Sequence, residues 1–471
     1  MSQESWIQFP ENRLPRRGPR GVNEMNRRLW SYVSPILRLT LITLLFGTGI
    51  VLSDPNPLLA KTKLQVFVGM GTGNEKAQLP AQEELKKAFE RLHPDVEIQY
   101  VRVPWPADNR LTTLIVAGTP PDVVMPVGMH GSNLFLEDGV WLDLDPLISR
   151  DKLDLSRYFA PTLQATTFRG TRYGMPVGMY IDALFYNKEL FENAALPPPP
   201  HDYSDPSWTW ERFVEYAKRM TKDVNGDGTP EQWGADSIGN HTVIAASFGA
   251  RWYSSDFRQV DLDSPEMISA WRFLQDLQHR WKVQPTYQQR VALNLGGVGF
   301  PTGKFGMLID FTARARVFTN PPLPFAWDLA AKPRGPAGPK TLLYLDTANI
   351  VSSSKNRELA WEWVKFVSRP ENLPNLAVFG YGAIPPTTDG ALLYVQQAGK
   401  TLPNVDLSVF VKGAPYGFAV EYWRPQYLET VKLIDAALGT VLDDQASVES
   451  TLRTLNDEVQ RLVDQYWAKR K

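Results

Sequence analysis

The sequence predicts an α/β protein with two lobes and a ligand cleft between them. Strand and helix signals alternate at the start of the main body, and an apolar run at 173–186 is long for one strand. Pro176 and Gly178 interrupt this run near its beginning, and proline inside a strand marks an edge, a bulge or an exit from the sheet. We therefore interpret 173–191 as a passage between lobes and expect Gly178 to Asp182 to border the cleft.

Length and composition agree with two domains. The chain has 471 residues, 43% of them hydrophobic, which is enough for a sizeable core. A net charge of -1 gives no reason to expect nucleic acid as a partner. The absence of cysteine excludes a thiol nucleophile, a Cys-ligated metal and a lipid-modified N-terminal Cys. The 15 tryptophans include candidate platforms for sugar-like ligands, although most aromatic rings in proteins are core.

The first sixty residues resemble a targeting segment. Leu39 to Leu52 is an uncharged, largely apolar stretch of 14 residues, short for a membrane span and typical of a signal-peptide core. Leu58-Leu59-Ala60 is an imperfect cleavage site, because Leu58 is bulky. An uncleaved N-terminal anchor is the alternative. Either interpretation predicts a body outside the cytoplasmic membrane, in the periplasm, with a charge of -4 once the segment's +3 (seven Arg, four acids) is removed.

The first elements of the body predict a parallel sheet with crossover helices. They are a strand at 63–69, a helix at 80–92, a strand at 96–103, a helix at 110–117 and a strand at 121–125. Ligands bind beyond the carboxyl ends of such strands, so the loops at 69–74, 103–109 and 126–131 qualify. The glycine-rich loop 69–74 is neither a Rossmann fingerprint nor a P-loop, and we interpret it as a turn that a ligand can approach.

The remaining elements follow in order. We expect helices at 209–220 (capped by Thr209), 264–281, 357–367, 425–438 and 446–469, and strands at 303–311, 326–332 and 348–351. The segment 239–254 predicts an apolar helix that ends in a glycine turn and is followed by an aromatic pair. Proline- and glycine-rich breaks fall near 176–182, 313–324 and 381–386. Three breaks predict three passages between the lobes.

Residues 223–229 match the first half of a calcium-binding loop. Asp223, Asn225 and Asp227 stand at positions 1, 3 and 5, but position 12 is Gly234 instead of the usual glutamate. A polar turn held by side-chain hydrogen bonds explains the pattern as well. We expect no cofactor, with calcium at this loop as the weaker alternative.

An ordered set of motifs carries a family likeness over 62–465. The set includes AGTPPDVV (117–124), YGMPVGMYIDALFYNKELFENAAL (173–196), GKFGMLID (303–310), SSSKNRELAWEWVKFVSRPEN (352–372) and YGAIPP (381–386). The chain resembles the extracellular solute-binding proteins of ABC importers, in the group that includes maltose-binding and glycerol-3-phosphate-binding proteins.

This resemblance implies a two-lobed periplasmic-binding-protein fold of type II, with 61–178 and 322–381 in lobe 1 and 179–321 and 382–471 in lobe 2. It implies a monomer that binds a carbohydrate, closes by hinge motion and delivers the ligand to membrane permease subunits without chemistry.

The resemblance also implies a pocket lined by loop ends that face the cleft. Carried onto this chain, its lining residues would be Met70, Asn74, Trp105, Met129, His130, Met179, Tyr180, Asp182, Asn240, His241, Trp252, Asp310, Phe311, Arg314, Tyr344, Asp346, Tyr381, Tyr422, Trp423 and Arg424. Aromatic faces would stack on sugar rings, and the polar groups would bind hydroxyls in a largely dry site.

Two other classes stay open at this stage. A secreted glycoside hydrolase would need two carboxylates across the scissile bond, and Asp182 with Asp310 is the conceivable pair. A binder of an anionic sugar derivative would use Arg251, Arg314 or Arg424.

Overall fold

The computed structural model describes residues 61–71, 73, 74, 76, 78–104, 107–295, 297–373, 383–419 and 425–470. The segment 1–60, with the predicted signal or anchor, lies outside the described residues. The strands are β1 (Thr62–Val68), β2 (Val96–Arg102), β3 (Val123–Gly128), β4 (Thr167–Phe168), β5 (Thr171–Arg172), β6 (Met175–Asn187), β7 (Trp233–Ile238), β8 (Phe305–Phe311), β9 (Trp327–Ala330), β10 (Thr341–Ile350) and β11 (Gly417–Ala419).

The helices cover both halves of the chain. They are α1 (Leu79–Leu92), α2 (Asp108–Val116), α3 (Met129–Leu134), α4 (Asp145–Asp151), α5 (Ala160–Ala165), α6 (Lys188–Asn193), α7 (Trp210–Met220), α8 (His241–Phe248), α9 (Pro265–Gln278), α10 (Tyr287–Ala292), α11 (Thr312–Val317), α12 (Arg357–Val367), α13 (Thr388–Ala398), α14 (Ser408–Gly413), α15 (Tyr427–Leu442) and α16 (Val448–Ala468). Within the described ranges, we find no helix with the length and apolar character that a membrane span requires.

The described strands, apart from the β4–β5 hairpin, form one mixed sheet in the order β2-β1-β3-β10-β6-β8-β7, with β11 beside β10 and β9 beside β6. Residues 175–181 of β6 pair with β10, whereas residues 182–187 pair with β8 and β9. One strand therefore serves both ends of the sheet at the place of the first predicted passage. Ile384, in the third predicted passage, lies beside it and exchanges two backbone hydrogen bonds with Met179.

Several predicted elements are confirmed, and one strand is wrong in extent. Helix α7 begins after Thr209, whose side chain accepts a hydrogen bond from the Arg212 amide. The predicted strand 348–351 is the end of β10, which begins at Thr341. Almost all of β10 is buried, but polar residues interrupt its apolar pattern. The sequence therefore predicted only the last part of the strand. The helix predicted within 239–254 ends at its glycine turn as expected, after Phe248, because Gly249 takes a left-handed conformation (φ 98°).

Helix α7 and strand β7 pack with their backbones almost in contact. A β-carbon placed on Gly234, in β7, would lie 2.0 Å from the carbonyl oxygen of Ala217, in α7. Buried side chains of α7, such as Phe213 and Met220, pack in the same hydrophobic cluster as Ala235 of β7. The contact requires glycine at 234 and explains why the glutamate of a complete calcium loop is absent there.

Candidate functional site

Polar and aromatic side chains gather on one face of the sheet where β6, β8 and β10 meet. Tyr180 of β6 lies directly opposite Tyr344 of β10, and Asp182 lies opposite Phe311 of β8. Directly paired residues share a face of the sheet, and so do residues two apart in a strand. Tyr180, Asp182, Phe311, Tyr344 and Asp346 therefore project to the same side.

The first part of this face is a hydrogen-bonded pair. The Tyr180 hydroxyl donates to Asp346 Oδ2 over 3.0 Å, and the Asp346 side chain is buried. The other carboxylate oxygen, Oδ1, lies against two backbone turns. A β-carbon on Gly71 would approach it to 2.9 Å, and one on Gly128 would approach it to 3.9 Å. The ends of β1 and β3 therefore meet β6 and β10 at Asp346.

The second part is an aromatic pair at the end of β8, where the preceding residue, Asp310, forms an ion pair. The rings of Phe311 and Tyr344 lie 5.1 Å apart at 42°. The Tyr344 hydroxyl hydrogen-bonds the Asn240 side chain, and burial raises the pKa of this hydroxyl. Arg314 Nε donates to Asp310 Oδ2 over 2.7 Å. Burial raises the pKa of Asp310, and Arg314 opposes the rise. The Asp310–Arg314 pair leaves no net charge.

Three predicted lining residues need correction, because their side chains lie in the interior. Met179 is fully buried in the central hydrophobic cluster, and Trp252 is buried in the cluster around α9 and α16. Asp182 is 1% exposed and forms an ion pair of 2.6 Å with Lys332, which is 2% exposed. Its other oxygen accepts a hydrogen bond from the Leu342 amide. Asp182 therefore shares the face but is covered by its ion pair, and it does not line the site.

The other predicted residues are placed as follows. Met70 and Met129 are almost completely buried beside the face. Asn74 donates to the Val103 carbonyl oxygen, which ties loop 69–74 to the end of β2. His241 follows Asn240, and its ring contacts that of Trp252 at 5.7 Å. Trp105, Tyr381, Tyr422, Trp423, Arg424 and the side chain of His130 lie outside the described part of the chain.

The sequence prediction missed four residues around the site. Gly71 and Gly128 crowd Asp346, Lys332 neutralises Asp182, and Tyr427 is close enough to Tyr344 to raise its pKa. Glycine loops at strand ends were the available signal for the first two, since loops 69–74 and 126–131 were predicted as ligand loops. The sequence carries no local signal for Lys332.

The loop 223–231 is a turn held by its own side chains. The two carboxylate oxygens of Asp223 accept from the amides of Gly226 and Gly228, at 2.7 and 2.8 Å. Asp227 Oδ1 accepts from the Thr229 amide. No group of three or more His, Asp or Glu side chains suited to a metal ion occurs among the described residues. These bonds account for the motif as a polar turn.

A small cavity of about 20 Å³ lies beside α3, between Met129, Ser132, Phe168, Tyr173 and Thr347. This volume holds a water molecule and is far too small for a sugar ring.

The chain belongs to the bacterial extracellular solute-binding protein family, whose model matches residues 72–373. The mixed α/β architecture is the two-lobed periplasmic-binding-protein fold of this family's solved relatives. A structure of the cyclic α-maltosyl-1,6-maltose binding protein from Arthrobacter globiformis superimposes with a TM-score of 0.71, covering 86% of this chain and 99% of that one at 18% identity.

Two curated relatives show the sequence similarity. A protein of Brucella abortus strain 2308, described as a binding protein, is 27% identical over 299 residues, which are 61% of this chain and 68% of that relative. The mannitol-binding protein of Pseudomonas aeruginosa is 26% identical over 206 residues, 42% of this chain and 44% of that relative.

Proposed function

We propose that this protein is the ligand-capturing component of an ABC importer and that its ligand is a carbohydrate or polyol. The observation that carries the proposal is the face where Tyr180 and Asp346 form a hydrogen bond beside the Tyr344–Phe311 ring pair. Flat rings match the C–H faces of a pyranose, and fixed polar groups match its hydroxyls. Relatives named for mannitol and for a cyclic maltosyl sugar agree with this ligand class.

The site is arranged for binding without a reaction. Its polar groups already hold one another in place, which lowers the cost of ordering them when a ligand binds. Ligand contacts formed with both lobes would favour the closed arrangement, because a ligand shifts an equilibrium only through differential affinity. The closed form would then deliver the ligand to membrane permease subunits. We place this work in the periplasm, with the segment 1–60 as signal peptide or anchor.

The hydrolase alternative receives no support from the two carboxylates that it needs. Asp182 is buried against Lys332, and Asp310 is held by Arg314. Neither arrangement resembles an acid and a nucleophile that flank a glycosidic bond. Turnover of an oligosaccharide that Asp310→Asn abolishes would reverse this conclusion.

A ligand panel tests the proposed function. We expect mannitol, lactose, maltose or a cyclic maltosyl sugar to change the tryptophan fluorescence in a saturable way and to raise the melting temperature. Ligand at 100 times its Kd should stabilise the fold by about 2.7 kcal/mol. Amino acids and inorganic phosphate serve as negative controls. A panel without any thermal or fluorescence response would refute the carbohydrate assignment.

Tyr180→Phe is expected to weaken binding of the best panel ligand about tenfold, because it removes the donor that orients the Asp346 carboxylate. Isothermal titration calorimetry measures the change. Tyr287→Phe is the matched control, since Tyr287 is half-exposed on α10, remote in sequence from the face. Equal Kd values for Tyr180→Phe and the unaltered protein would remove this pair from the binding site.

A further inference from the structure

Away from the central strands, Glu137 links the β4–β5 hairpin to the end of α16. Glu137 Oε2 lies 2.8 Å from Arg470 Nη2, and Glu137 Oε1 lies 3.9 Å from Arg169 Nη2. Arg169 is in the hairpin turn, and Arg470 follows the last turn of α16. One carboxylate therefore bridges two guanidinium groups from distant parts of the chain.

The indole of Trp467 stands in the same contact. The guanidinium carbon of Arg258 lies 4.3 Å from the Trp467 ring centre, and that of Arg169 lies 5.5 Å from it. The indole N–H donates to the Phe257 carbonyl oxygen over 2.9 Å, which fixes the ring. The guanidinium groups of Arg169 and Arg258 are therefore each attracted to the indole by a cation–π interaction. We call Glu137, Arg169, Trp467 and Arg470 the clasp.

The two sides of the clasp are anchored in different parts of the protein. The hairpin is tied to α4, because the Leu144 amide donates to the Arg172 carbonyl and the Arg172 amide donates to Asp145. Leu144 packs in the hydrophobic cluster of β1, β2 and α12. Helix α16 instead packs on α9 and α15 through residues such as Leu455 and Val459. These anchors fall in the segments predicted as lobe 1 and lobe 2.

We propose that the clasp is a positioning device that restrains the relative motion of the two lobes, so that Glu137 and Arg470 tune the affinity of a cleft that they do not touch. Hinge motion about β6 and β10 changes the distances between elements far from those strands. The clasp must therefore stretch or break when the lobes rotate. Its groups are partly exposed, Arg169 to 58% and Arg470 to 43%, so salt should weaken it.

Because the chain has no cysteine, two introduced cysteines can be labelled specifically for a distance measurement. Val116 and Val224 are exposed to 82% and 77% and lie in the two predicted lobes, so Val116→Cys and Val224→Cys accept a fluorescent donor and acceptor. Single-molecule energy transfer on the full chain then reports the lobe separation without any ligand. We expect Glu137→Gln and Arg470→Ala each to shift the ratio of the lobe-separation populations about threefold, and Arg470→Lys to retain most of the native ratio.

The control is Arg272→Ala, which breaks a surface ion pair with Glu449 inside the second predicted lobe. If the clasp restrains lobe motion, Arg272→Ala keeps the native ratio of the lobe-separation populations. The Glu137→Gln/Arg470→Ala double variant then shifts this ratio by less than the sum of the two single shifts. Unchanged ratios in both clasp variants, or an equal shift in Arg272→Ala, would overturn the proposal. Titration with the panel sugars adds the affinity readout, which rests on the proposed function. The distance readout stands even if no panel sugar binds.

Discussion

Lys332→Met is expected to lower the free energy of unfolding by about 3–5 kcal/mol. The Lys332 ammonium is the charge that compensates Asp182, at 2.6 Å, and both side chains are almost completely buried. Removing one partner leaves a carboxylate in the interior with a single backbone donor, the Leu342 amide. Urea denaturation of the purified protein measures the loss.

The same variant should depend on pH in a defined direction. Burial raises the pKa of Asp182, and loss of Lys332 removes the charge that opposes this rise. Asp182 in the variant is then protonated as the pH falls towards its raised folded pKa, and a neutral carboxyl is tolerated inside. The deficit relative to the unaltered protein should thus be smaller at pH 5 than at pH 8.

The Asp182→Asn/Lys332→Met double variant is the control, because it carries no buried charge at this place. It should recover much of the stability and lose the extra pH dependence. A Lys332→Met deficit below about 1 kcal/mol, or one that grows as the pH falls, would show that the ion pair does not form as described.

Gly234→Ala is expected to cost about 3 kcal/mol, at the upper end of the usual range for overpacking. The new methyl group would sit 2.0 Å from the Ala217 carbonyl oxygen, and backbone cannot move aside as a flexible side chain can. Helix α7 would have to shift away from β7. Thermal and urea unfolding followed by circular dichroism give the change.

Gly439→Ala is the matched control. Gly439 lies within α15, and a β-carbon there meets nothing within 4 Å. This substitution should stabilise the helix by up to about 1 kcal/mol, because alanine is the better helix former. Equal effects of the two glycine substitutions would mean that α7 and β7 are not in close backbone contact.

Local signals were sufficient for most of the fold. Pro176, Gly178 and the apolar run after them are adjacent in sequence, so the first passage between sheet ends could be predicted. The same holds for α7, whose N-cap at Thr209 and apolar spacing are local. Strand β10 was only partly predicted, because its buried polar residues form hydrogen bonds with residues of other strands.

The site was harder to predict than the fold, because burial depends on distant partners. Alternation along β6 puts Tyr180 and Asp182 on one face, and the sequence alone could not separate their roles. Lys332, 150 residues away, makes Asp182 an interior residue, while Tyr180 reaches Asp346. The burial of Trp252 could not be predicted for the same reason, since it depends on packing among α9, α15 and α16.

The shared strand β6 has a consequence for how the molecule unfolds. Its first half completes the pairing of β10, and its second half completes β8 and β9, which come from later parts of the chain. If the sheet of either lobe unfolds, the other lobe loses hydrogen bonds to β6. We therefore expect the native state to unfold in one cooperative step. A polypeptide that ended after residue 321 would lack β9 and β10, and the strand on which both lobes depend would lose partners in each half.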